Sequence, residues 1–211
     1  MIKTLNTLFV TMFGLGKLSK IPGTLGSLAT ILILYISFHI INLSTYLSDV
    51  DAPKTFFGIG FDIHKLIKGK KLYLGGVKIP FHSGLEGHSD GDVILHAIID
   101  AILGATNKKD IGTYFPNTKK FKNIRSPKML KPIIDNLYKY NFSINNFDIN
   151  LICEQPKVSK YRNKIINSIS KLTTLDKNQI NLKGKTVEKL GLIGKEKAIA
   201  CEVIVSITKY E

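Results

Sequence analysis

The chain has 211 residues, 44% of them hydrophobic, with a formal net charge of +14. That length suits one ordinary domain with an appendage, or two small ones, and is enough for a substantial core. Cys153 and Cys201 lie in apolar strand-like runs and form no CxxC pair. This argues against a disulfide framework, points to a reducing compartment, and reads both as small buried hydrophobes. The charge invites a nucleic-acid reading, but its distribution does not support one. Residues 1–52 hold three Lys and two Asp, net +1, and the other +13 is mostly scattered lysine. No arginine-rich stripe and no aromatic interleaving accompany it, so nucleic acid is not an expected partner. A general lysine bias instead suits attraction of anionic ligands such as diphosphates.

The opening stretch, MIKTLNTLFVTMFGLGKLSKIPGTLGSLATILILYISFHIINL, is punctuated by glycine and then strongly apolar from Leu25 to Leu43. A bilayer span takes about 20 apolar residues, so this run is near the lower limit. An apolar helical appendage is expected, with membrane contact through residues 25–43 on an otherwise cytoplasmic protein. A cleavable signal fits poorly, because Gly14–Gly26 breaks the order of a charged and then an apolar region. The segment FGLGKLSKIPGTLGSLAT resembles the opening of the phosphatidylglycerophosphatase A family of membrane lipid phosphatases. Only that opening is present, without the acidic residues such enzymes use further along. It implies a truncated remnant and no lipid phosphatase activity. Asn42 to Thr55 is polar, with Asp and Pro, and reads as a linker between residues 1–52 and a domain over 54–211.

FFGIGFDIHKL opens that domain as a strand, and Leu72–Pro80 forms a strand pair around a glycine turn. Phe81–Asp90 reads as a loop, Val93–Ala105 as an apolar helix, and DIGTYFPNT as a second loop. Met129–Tyr140 and Tyr161–Leu172 repeat apolar residues at helical spacing: Met129, Leu130, Ile133, Ile134 and Leu137, then Tyr161, Ile165, Ile166, Ile169 and Leu172. Phe147–Cys153, Ile180–Lys183 and Ala198–Thr208 read as strands. The pattern implies an α+β fold, a mixed β-sheet with helices mainly on one face.

GFDIH and GHSDGDVILHAIIDAILG carry the chemistry. Asp62 and His64 are two apart on a strand and so share a face. Asp92, His96 and Asp100 recur every four residues and project from nearly one face of a helix. A lone histidine on an apolar helix is more often a core residue than a ligand. If strand and helix meet, however, Asp62, His64 and His96 supply two imidazoles and a carboxylate. That is the donor set of a catalytic zinc site whose fourth position stays open. Asp92 and Asp100 read either as partners that orient the histidines or as helix-surface carboxylates.

GFDIHKL, LGGVKIP, GLEGHSDGDVILHAIIDAILGA, DIGTYFP, TVEKLG and IACEV follow one another in this order from about Phe56 to the C-terminus. In this the chain resembles the 2-C-methyl-D-erythritol 2,4-cyclodiphosphate synthase family. The resemblance implies a homotrimer with active sites shared between subunits. It also implies an intramolecular phosphoryl transfer on a diphosphocytidyl substrate that expels CMP and needs no protein nucleophile. Asp62, His64 and His96 would hold one zinc per subunit, and Glu188 would be the sole protein ligand of Mg2+ or Mn2+ bound with the substrate diphosphate. His88 and Thr186 would stabilise the transition state, with His88 and Ser89 on the erythritol phosphate side. Asp110, Ile111 and Gly112 match the ribose loop, though a DIG turn also serves as a helix C-terminal cap. Phe115, Pro116, Asn117, Thr118 and Lys119 match the next substrate-facing segment. Cys153, Pro156, Lys157, Val158 and Ser159 match the loop around the cytosine. Ile63, Lys185, Val187, Leu192 and Lys195 complete the implied substrate contacts.

Four positions depart from the family's pattern. Lys185 replaces a usual threonine, Leu192 a common aromatic, and Asn117 a frequent aspartate. Lys195 replaces arginine, keeping the charge but losing the bidentate fork. These changes touch phosphate and loop contacts and leave the metal ligands intact.

Overall fold

The computed structural model describes residues 32–40 and 53–210, which fall in two units, Met1–Ala52 and Pro53–Glu211. In the first unit, residues 32–40 form a helix with every position exposed. Among the described residues no helix is long and apolar enough to cross a membrane. The lipid-phosphatase-like segment, the rest of the 25–43 run and most of the linker lie outside the described residues.

The second unit is a mixed five-stranded sheet with helices on one face. In chain order its elements are β1 (Lys54–Lys68), β2 (Leu72–Leu74), β3 (Val77–Ile79), β4 (Ser83–Leu85), α1 (Val93–Ala105), α2 (Ile111–Tyr114), α3 (Ser126–Lys139), β5 (Phe142–Ile152), α4 (Arg162–Thr173), β6 (Ile180–Lys185), α5 (Gly191–Gly194) and β7 (Ala198–Lys209). The sheet order is β4-β1-β7-β5-β6, and β2 and β3 form a separate hairpin. Only β5 and β6 are parallel. The long β1–β7 ladder runs in register from Lys54 opposite Lys209 to Lys65 opposite Ala198.

Apart from His96 and Asp100, α1 is apolar around its circumference, because every residue but Asp100 and Gly104 is buried. It lies directly on β1, and two glycines permit this. A Cβ on Gly60 would stand 2.0 Å from the Ala97 carbonyl oxygen, and one on Gly58 would stand 2.0 Å from that of Ala101. The strand backbone therefore touches the helix backbone, with alanines facing the glycines. α3 and α4 cover the rest of the face with the stripes Met129, Leu130, Ile133, Ile134 and Leu137, and Ile165, Ile166 and Ile169. Both cysteines are buried and unpaired, and burial pushes the Cys153 thiol up to about 11.

The expected elements recur, with differences at their margins. The Phe81–Asp90 loop contains β4, whose Ser-Gly-Leu lacks alternation and is held by pairing with β1, Leu66 opposite Leu85. β5 begins at Phe142, five residues before Phe147; its polar first half pairs with the end of β7 across a bulge between Ile144 and Asn146. DIGTYFPNT contains α2, and Asp110 caps that helix at its N-terminus by accepting from Thr113 N at 2.8 Å. The DIG turn is thus a helix start, not a C-terminal cap.

The opposite face of the sheet carries no helix. There the alternate residues of β1 are apolar and open: Phe57 is 71% exposed, Ile59 63% and Phe61 56%, beside Ile204 on β7.

The glycine contact is testable. Gly60→Ala is expected to lift α1 from β1 and cost about 3 kcal/mol, the upper range for overpacking. Denaturant unfolding of the variant against the parent chain measures it.

Candidate active site

The close packing of α1 on β1 aims three side chains at one point. Asp62 and His64 leave β1 on the helix side, and His96 leaves the first turn of α1. Asp62 Oδ2 is 2.9 Å from His96 Nδ1 and 3.0 Å from His64 Nε2, and the two ring nitrogens are 3.2 Å apart. All three ligand atoms lie within 4.8 Å of one another, the only such group among the described residues. Burial opposes ionisation of Asp62, but hydrogen bonds from both histidines and their charge hold its carboxyl down at about 2. Burial also opposes charge on His96, and the hydrogen bond and charge of Asp62 overcome it, raising its pKa.

The donor chemistry fits a divalent metal. Zinc bonds of 2.0–2.1 Å in a tetrahedron separate neighbouring ligand atoms by about 3.3 Å. The observed 2.9–3.2 Å needs only a slight opening. Three protein ligands leave a fourth position toward the cleft.

That cleft is lined by the triad with His88, Ser89, Ile111, Gly112, Phe115, Pro116, Asn117 and Thr118. Asn117 Nδ2 donates to His88 Nε2 at 2.6 Å, so this departure from the family pattern contacts His88. Asp110 and Lys119 flank the cleft without lining it, and both are exposed. The Ile63 side chain points to the open face of the sheet, away from the triad.

The other candidates gather in a second cleft along the ends of β5 and β6. Cys153, Pro156, Lys157, Val158, Ser159, Lys185 and Thr186 line it. β1 and β6 are separated by β7 and β5, about 14 Å at the usual strand spacing. The two clefts share no lining residue. Beyond the second, Val187 and Glu188 form a turn in which Glu188 and Lys189 adopt φ of 51° and 62°, values that favour glycine. Glu154 stabilises the turn, its Oε1 accepting from Val187 N at 3.1 Å and Lys189 N at 3.2 Å. Glu188 is exposed and accepts from Thr186 Oγ1 at 2.8 Å. Leu192 and Lys195 are exposed beside it. The structure does not bring Glu188 into the triad.

Two sequence readings change. Asp92 does not orient a histidine and is not on the helix surface. It is fully buried, caps α1 by accepting from Leu95 N, and ties down the β2–β3 turn by accepting from Gly75 N at 2.8 Å and Gly76 N at 2.6 Å. Burial pushes its carboxyl upward against these three donors. Asp100 accepts from Ile111 N at 2.7 Å and so anchors α2. The groups behind His96 are instead Ser89 and Ser126, with Asp90 behind Ser126; the sequence singled out only Ser89, and for the substrate.

An α+β sheet domain with a candidate metal triad at the floor of a mostly apolar cleft is the class this geometry defines. The chain belongs to the YgbB family, which matches residues 55–208. It is 59% identical over 156 residues to the bifunctional enzyme IspD/IspF of Pelagibacter ubique, a match covering 74% of this chain but 42% of that relative, so the chain spans less than half its length. It is 46% identical over 151 residues to the 2-C-methyl-D-erythritol 2,4-cyclodiphosphate synthase of Caldicellulosiruptor bescii, covering 71% of this chain and 96% of that one. Among solved structures, a CDP complex of IspF from Plasmodium falciparum superposes with a TM-score of 0.66 at 43% identity, covering 74% of this chain and 97% of that chain.

His96→Ala is expected to abolish zinc binding, read by competition with a chromophoric chelator, while leaving the circular dichroism spectrum unchanged. Retention of stoichiometric zinc would remove His96 from the metal site.

Proposed function

We propose that this chain converts 4-diphosphocytidyl-2-C-methyl-D-erythritol 2-phosphate into 2-C-methyl-D-erythritol 2,4-cyclodiphosphate and CMP, a step in isoprenoid precursor synthesis. The observation that carries this is the Asp62–His64–His96 group at the floor of a cleft, in a chain with the identity to synthases given above. An oxygen of the 2-phosphate attacks the β-phosphorus; the bond from that phosphorus to the bridging oxygen breaks, and CMP leaves with the electron pair. No side-chain nucleophile is required, which agrees with two buried, high-pKa cysteines. The residues' task is to fold back a flexible polyanion and oppose its charge.

Asp62, His64 and His96 would hold zinc, which when bound polarises a phosphate oxygen. His88 and Ser89 border that cleft and are assigned to the erythritol phosphate. Ile111, Gly112 and Phe115–Thr118 line its far wall for the nucleotide side. Lys157 and the loop Cys153–Ser159 are assigned to the cytidine, with Lys185 and Thr186 on the diphosphate. Glu188 would hold Mg2+ or Mn2+ in company with phosphate oxygens, as single carboxylates commonly do for Mg2+.

The separation of the two clefts supports a homotrimer in which the first cleft of one subunit meets the second of its neighbour. So does the open sheet face: Phe57, Ile59, Phe61 and Ile204 form an exposed apolar patch of a kind monomers rarely show. We assign the chain to the cytoplasm, with interfacial membrane contact confined to residues 25–43, whose helical part exposes Leu34, Phe38 and Ile40.

CMP release from the diphosphocytidyl substrate tests the reaction. Release is expected from the full chain and from a chain starting at Lys54, with zinc and magnesium present, and is expected to fall to background with a chelator. Silence from a zinc-loaded trimer would refute the assignment. For the assembly, Ile59→Lys buries a charge against a neighbour; sedimentation is expected to give a monomer, with CMP release reduced at least about 100-fold because each site is split.

A further inference from the structure

We propose that the cavity between the C-terminal ends of α1 and α3 binds a small amphiphilic anion, a single alkyl chain carrying a phosphate head. The cavity measures about 560 Å³, within the range of small-molecule sites. It shares no lining residue with either cleft described above. Thr106, at its rim, stands about 15 Å along α1 from His96 at the usual rise per residue. The site is therefore separate from the reaction proposed above and does not depend on it.

The floor and the rim ask for different things. Ile102 and Leu103 of α1 and Ile133 and Leu137 of α3 are buried residues that line the floor. Lys108, Lys139 and Lys209 line the cavity as well, and no acidic side chain does. None of the three lysines has a carboxylate partner among the described residues. Each ammonium group rests over an aromatic ring instead. Lys108 Nζ is 5.2 Å and Lys139 Nζ 6.0 Å from the centre of the Tyr140 ring, and Lys209 Nζ is 5.8 Å from that of Phe142. Two like charges thus share one ring. A hollow with an apolar floor and charge of one sign focuses its field outward and draws in an anion. The half-buried Asn136 side chain, which has no hydrogen-bond partner among the described residues, adds an amide donor for an oxygen.

The rival explanation is local. Lysine opposes the partial negative charge at helix C-termini, and Lys139 sits in the last turn of α3 while Lys108 follows the end of α1. That role does not extend to Lys209, which lies on β7, and it leaves the apolar hollow between them unexplained. A neutral apolar guest would leave three positive charges unanswered. Inorganic phosphate would leave the floor uncovered. An alkyl chain with an anionic head answers both. Phosphate suits three ammonium groups better than carboxylate does, because it has three terminal oxygens and a charge of about −1.5 to −2.

Octyl phosphate tests this on the full chain, read by the δ1-methyl NMR signals of Ile102 and Ile133. Saturable shifts of both are expected, with a Kd of about 1 mM or tighter for a ligand of this size. Octyl glucoside, with the same alkyl chain and a neutral head, is expected to bind at least about 10-fold more weakly. Inorganic phosphate is expected to leave both methyl signals in place. The double variant Lys139→Glu/Lys209→Glu changes two exposed positions. It is expected to keep its circular dichroism spectrum and to weaken octyl phosphate at least about 10-fold. Octyl phosphate that shifts neither methyl, or only that of Ile59 on the open sheet face, would overturn the site. Equal affinity for the glucoside, or undiminished affinity in the folded double variant, would overturn the anionic class and reduce the lysines to partners of the helix ends. If the double variant lost its fold, the glucoside comparison alone would decide.

Discussion

Backbone-to-backbone contact between α1 and β1 is the constraint on which the rest of the domain depends. Without side chains at Gly58 and Gly60 the helix settles onto the strand, and the Ala97 and Ala101 carbonyl oxygens fill the space that Cβ atoms would claim. That spacing sets how far His96 stands from Asp62 and His64. A larger residue on either side would separate the imidazoles before it unfolded the sheet. The apolar composition of α1 has the same origin: a helix this close to a strand and roofed by α3 leaves only Asp100 and Gly104 toward water. Fold and metal site are consequently one packing problem.

Much of this was legible in the sequence because the informative periods are short. Asp62 and His64 are two apart on a strand, and the α1 boundaries follow from an apolar run broken only by His96 and Asp100. The groups behind His96 were not legible, because they depend on pairings across the fold. Asp90 meets Ser126 and Arg125 some 35 residues further on, and a serine before a proline at a helix start has an ordinary capping explanation. Asp92 misled for a related reason. Helical spacing aligned it with His96, but the residue just outside a helix turns its side chain back to the free N–H groups, here including those of the β2–β3 turn. Glu154 was invisible because its two bonds close a turn more than 30 residues away.

The cleft residues divide by the kind of support they receive. The triad itself rests on β1 and α1, with carboxylates behind it: buried Asp90 behind Ser126, buried Asp92 under the start of α1, and half-buried Asp100 under α2. The second cleft joins the end of β6 to the Cys153–Ser159 loop, and beyond it Glu154 bridges the turn where Glu188 and Lys189 have positive φ.

The bare face of the sheet has a consequence for the life of the newly made chain. Phe57, Ile59, Phe61 and Ile63 are presented in a row on one long strand, and strands displaying such rows join other chains readily when they are dilute in their proper partners. In the proposed trimer, each copy has to find its neighbours faster than it finds a stranger. Yield would therefore follow the rate of synthesis and the local supply of identical copies, as much as the stability of any single fold.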